Sequence, residues 1–150
     1  MKHIPFRPVD VLRRLEETYS GLAESHDGVF EAFVGLGCED GRVGDADALE
    51  KIVRDILGPQ PFDTPGQDLR LKISAKTHKP VIIEIASSSG KLAVPESLAP
   101  LVAEMGGEIS VLPGGSRTTV RVTVPLPEAE IEVVQADVPV QEELNSLAGV

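Results

Sequence analysis

Ser87-Ser88-Ser89-Gly90-Lys91 is the stretch best suited to holding an anion, since small residues let backbone N–H groups approach a phosphate. It lacks the full glycine spacing of a P-loop and follows a strand, so a plain surface turn suffices there. Asp45 and Asp47 could hold a cation, but two carboxylates opening a helix are explained by capping and the helix dipole. Cys38 sits beside Glu39 and Asp40, whose charge opposes thiolate formation, which argues against a nucleophile. His3, His26 and His78 show no ligand spacing with a cysteine or carboxylate. No catalytic residue and no metal site is assigned.

The elements that must position these groups follow from periodicity. Val9, Leu12, Leu15, Tyr19 and Leu22 recur at helical steps after Pro8, with charged residues between them, and predict an amphipathic helix. Val29–Val34 reads as a short strand and Gly35–Gly44 as a turn-rich connection. Asp45 or Asp47 caps a second helix whose buried side is Leu49, Ile52, Val53, Ile56 and Leu57, and Gly58-Pro59-Gln60-Pro61 ends it. Leu69–Ser74 alternates as a half-exposed strand does, and Val81–Ala86 reads as a central strand. A short helix over Leu98–Met105 starts near Ser97, with Pro100 in its first turn and Gly106-Gly107 at its end. Glu108–Leu112 and Thr118–Val124 flank a hairpin signal at Pro113-Gly114-Gly115-Ser116. This order predicts an α/β two-layer sandwich, a mixed sheet with helices on one face.

The 150 residues suit one domain with a proper core. With four Phe, one Tyr and no Trp, that core must be built from Val, Leu, Ile and Ala. The net charge of −10 without a Lys/Arg cluster argues against nucleic acid and anionic membranes. No apolar run approaches the roughly 20 residues of a membrane span, and residues 1–11 lack the apolar core of a secretory signal. One cysteine makes no internal disulfide, and a cytoplasmic setting fits best. The domain is expected over residues 1–126. From Pro127 the Glu-rich segment 127–150 reads as an acidic linker or tail rather than an acid pair or interaction strip, with a short helix near Gln141–Leu147.

Several segments, taken in order, resemble the ATP-binding domain of histidine kinases (the GHKL, HATPase_c or Bergerat type) over about Ile4–Leu126. Phe6-Arg7-Pro8-Val9-Asp10-Val11-Leu12 is similar to the family's entry into its first helix. Gly44-Asp45-Ala46-Asp47-Ala48-Leu49 resembles its Gly-Asp-x-x-Arg-Leu helix start, and Met105-Gly106-Gly107-Glu108-Ile109 with Thr118-Thr119 resembles its closing segment.

The departures all fall on chemistry. The resemblance places the family's Mg²⁺-binding Asn on Pro59 and the Asn one turn earlier on Asp55, with no evident basic residue in Gln60-Pro61-Phe62. Hard cations need oxygen ligands, and proline offers no side-chain oxygen. The adenine-reading Asp falls on Ser87, the first glycine box on Ser89 and Lys91 around Gly90, and the second on Leu92 and Val94, with no residues left for a lid. No His-Glu-x-x-x-Pro-like phosphoacceptor sequence occurs.

The resemblance therefore implies a degenerate domain without cofactor and without enzymatic activity. It would be a pseudokinase-like docking module of a bacterial two-component phosphorelay, and its expected partner is a receiver or phosphotransfer domain. Phe62, Val94 and Pro95 are the expected apolar contacts, and the oligomeric state is open. Two alternatives stand beside this reading. One is a histidine-kinase catalytic domain acting in trans, with ATP and Mg²⁺ held through Asp55 and Ser87. The other is a structural dimerisation unit.

Overall fold

A computed structural model describes residues 2–59, 61–62, 66–88, 92, 94–114 and 117–129. Two sheets and three helices make up the described residues. The larger sheet has the order β2-β4-β5-β7-β6, formed by Val29–Val34 (β2), Asp68–Ser74 (β4), Val81–Ser87 (β5), Arg117–Val124 (β7) and Glu108–Gly114 (β6). β2 pairs in parallel with β4 and every other neighbour is antiparallel, so the sheet is mixed as expected.

Alternation along these strands decides which face is covered. Leu69, Leu71 and Ile73, then Val81, Ile83 and Ile85, then Val120, Val122 and Val124 point to one side and are buried. Against them lie α1 (Pro8–Ser25), α2 (Ala46–Leu57) and α3 (Leu98–Glu104), which bring Val11, Leu12, Leu15, Leu49, Ile52, Val53, Leu98 and Val102 into the same core. None of the described helices lies on the opposite face of the sheet. That face carries Arg70, Lys72, Glu84 and Arg121 on successive strands.

The helix boundaries follow local chemistry. Pro8 opens α1, where a missing N–H costs nothing, and Asp45 caps α2 by accepting from the Ala48 N–H at 3.1 Å. α3 ends where Gly106 turns with φ +76°, a left-handed conformation that glycine adopts freely. Leu22 departs from its expected place: it is partly exposed, and Ala23 takes the inward position.

A second, three-stranded sheet was not visible in the periodicity. Ile4–Phe6 (β1) and Glu128–Ala129 (β8) both pair antiparallel with Gly41–Gly44 (β3), giving the order β1-β3-β8. Gly35–Gly44 is thus more than a connection, and the chain is still paired just past Leu126. No helix among the described residues is long and apolar enough to cross a membrane.

Candidate functional site

Two of the positions that the resemblance assigns to the nucleotide, Asp55 and Pro59, border an open cleft of about 710 Å³ between α1, the end of α2 and the approach to α3; Ser87 does not line it. Asp55, on the last turn of α2, points into it together with Lys51 and Arg54. Pro59, Pro61, Pro95 and Ser97 form much of the remaining wall, and Thr18, Tyr19 and Leu22 come from α1.

The charges in this cleft are already paired. Lys51 Nζ lies 2.8 Å from the Asp55 carboxylate, one turn away on the same helix. Arg54 reaches Glu50 at 3.1 Å, and Arg14 joins from α1 at 2.5 Å, so Glu50 clamps the two helices together. The Tyr19 hydroxyl is pushed up in pKa by burial, with Arg54 lowering it and Asp55 raising it. Divalent-cation binding at the Pro59 position requires an oxygen that its ring does not carry, and Asp55 offers one carboxylate held by Lys51. Among the described residues no three His, Cys, Asp or Glu side chains gather into a metal-binding group.

Ser87 is the last residue of β5 and continues the inward series Val81, Ile83, Ile85. It is fully buried, and the Gln67 side-chain amide donates to its hydroxyl at 3.2 Å. Ser88 completes the β4–β5 ladder instead of facing an anion: its hydroxyl accepts from the Asp68 N–H at 2.9 Å, and its own N–H donates to the Asp68 carbonyl at 3.0 Å. Ser89, Gly90 and Lys91 lie outside the described residues. At the positions the resemblance assigns, the described residues are thus a carboxylate paired with Lys51, a proline and a buried serine.

Phe62 needs correction as a contact residue. It is 4% exposed and belongs to the core, where its ring lies so close to Gly28 that a Cβ at that glycine would meet it at 2.6 Å. An aromatic ring gains more from burial than from exposure, and Gly28 leaves the space for it. Val94 also packs partly against the core, whereas Pro95 stands on the cleft wall.

Cys38 is buried and donates through Sγ to the Ile73 carbonyl at 2.9 Å. Burial raises its pKa most; contacts with Gly35 and Arg42 lower it, and Glu39 raises it. Of the acidic neighbours seen in the sequence, Glu39 acts in the expected direction but is a smaller influence than desolvation.

Arg42 was missed altogether. It is 2% exposed and spreads its guanidinium over four backbone carbonyls. Nη1 donates to Lys79 and Leu126, each at 2.8 Å, and Nη2 to Ala75 at 3.0 Å and Lys76 at 2.8 Å. Its only sequence signal is an arginine between glycine and valine in a segment that otherwise reads as turns.

No family model matches the sequence, and no curated protein matches it. Solved structures do match in fold. Full-length ShkA in complex with AMPPNP superposes with a TM-score of 0.73 at 19% identity, over 86% of this chain and 32% of that one. The mycobacterial sensor histidine kinase MprB gives 0.63 at 17% identity, over 85% and 99%. The nucleotide-free catalytic domain of the histidine kinase ThkA gives 0.65 at 9% identity, over 83% and 98%. ThkA in complex with the response regulator protein TrrA gives 0.60 at 11% identity, over 82% and 41%. The chain has the fold of histidine-kinase catalytic domains.

Proposed function

We propose that this domain is a non-catalytic signalling or docking module of a two-component system, with the histidine-kinase fold kept and the nucleotide chemistry lost. The observation that carries this reading is Ser87. It stands where the resemblance expects the adenine-reading carboxylate, and it is buried against Gln67 with no surface to offer a base. Pro59 at the metal position and the Lys51-paired Asp55 support the same reading.

The partner we favour is a receiver or phosphotransfer domain. The ThkA complex with a response regulator supports that class, and the cleft wall around Pro95 is the surface we assign to the contact. The test is titration calorimetry with ATP and ADP, with and without Mg²⁺. No heat of binding is expected up to millimolar nucleotide. Micromolar binding abolished by Asp55→Ala would overturn the proposal.

A second reading, a kinase domain acting in trans, is favoured by the open cleft itself, where Lys51 and Arg54 could meet phosphate. The same titration separates the two.

A further inference from the structure

The face of the five-stranded sheet opposite the described helices carries a groove of about 810 Å³, remote from the cleft around Asp55. Its floor runs across the strands in register: Phe33 on β2 stands beside Lys72 on β4, Lys72 beside Glu84 on β5, and Glu84 beside Arg121 on β7. Two properties of this groove are unusual for a free surface.

The first is apolar exposure. Phe33 is 45% exposed and Leu36 70%, two large apolar side chains at one end of the groove, while Val34, in register with the inward Ile73, alternates to the other side of the strand. The second is unbalanced positive charge on a chain whose net charge is −10. Arg121 is neutralised by Glu84 at 2.8 Å. Lys72, Lys76 and Lys79 also line the groove, and none of their ammonium groups pairs with a carboxylate among the described residues.

The complement lies in the same chain. Residues 130–150 contain Glu130, Glu132, Asp137, Glu142 and Glu143 and no Lys, Arg or His. Apolar residues alternate with the first of these acids, as Glu130-Ile131-Glu132-Val133. The described chain also ends at the groove's rim. β8 runs antiparallel to β3 and reaches Ala129 opposite Gly41, the end of β3 that joins the loop carrying Leu36. The Glu128 carboxylate accepts from the His78 N–H at 2.5 Å, next to Lys79. At roughly 3.3 Å per extended residue, this segment reaches well beyond the groove.

We infer that residues 130–150 dock in this groove, with carboxylates on Lys72, Lys76 and Lys79 and aliphatic side chains on Phe33 and Leu36. The tether supplies a high effective concentration, so contacts that are individually weak suffice. The docked segment would shield the apolar end of the open face, and a partner competing for the groove would release it. This inference does not depend on whether the other face binds nucleotide.

The test uses the full chain with a nitroxide on Ser146→Cys, Cys38 being buried and protected from labelling. Amide signals of Phe33–Leu36 and Lys72–Lys79 are expected to lose intensity selectively. They should recover in 1 M salt, where the Debye length falls to about 3 Å, and in the Lys72→Glu/Lys76→Glu/Lys79→Glu variant. All three lysines are exposed, and a native amide spectrum of the variant verifies its fold. Uniform broadening, broadening on the helix-covered side, or no broadening would overturn the inference. So would broadening transferred from labelled chains to isotope-labelled chains carrying no nitroxide, which would mean a second copy fills the groove.

Discussion

Arg42 brings a positive charge into the interior, and among the described residues only backbone carbonyls meet it. Its four hydrogen bonds join two separate pieces of chain to β3: the loop after β4 at Ala75, Lys76 and Lys79, and the segment after β7 at Leu126. Removing the guanidinium leaves four carbonyl acceptors without their donor, so the cost exceeds that of one hydrogen bond. Arg42→Met is expected to lower the free energy of unfolding by about 3–5 kcal/mol in urea titration. Arg42→Lys should recover only part of this, because an ammonium is a point donor and not a planar fork. Nothing in the local sequence announces this role, since all four acceptors are at least 33 residues away. The same reason hid Phe62 and Ser87. Asp55 and Pro59 could be placed from a helix and its end, but the burial of Phe62 depends on Gly28, and that of Ser87 on Gln67.

Helix α2 shows what a local pattern does make legible. Its five predicted apolar positions are all buried, and its cap is Asp45. Burial works to raise the Asp45 pKa but is outweighed by N–H groups of Lys2 and Ala48 and by the Lys2 charge, so the pKa is lowered. The unfolded state therefore binds more protons in this range, and the stabilisation is present above the ordinary value of 3.8 and lost as pH falls through the folded value. Asp45→Ala is expected to cost about 1 kcal/mol at pH 7. The gap from the parent should narrow in denaturation curves below about pH 4, where unperturbed Asp protonates. Strands β4 and β5 were equally readable, because seven residues suffice for alternation to show. β1, β3 and β8, of three, four and two residues, carry no period at all. They are specified by their pairing with one another and by the long-range bonds of Arg42 rather than by a period of their own.

On the scale of the whole molecule, hydrophobic patterning was enough to give the layers and the mixed sheet, while the surface functions depend on what each face leaves uncovered. One face ends in a cleft of paired charges and proline, and the other in a basic, apolar groove. The small sheet adds a mechanical property. β1 and β8 flank β3 and run parallel to each other, and the chain enters at Ile4 opposite Gly44 but leaves at Ala129 opposite Gly41. Tension applied through residues 4 and 129 therefore pulls the two outer strands along their axes in opposite directions, loading their hydrogen bonds together in shear. Handles at Glu108 and Thr123, directly opposed across β6 and β7, would instead open that pairing one bond at a time. Single-molecule pulling is expected to need more force in the first geometry than in the second. The small sheet thus acts as a clasp that couples the two ends of the described chain, β1 and β8, through a single shared strand.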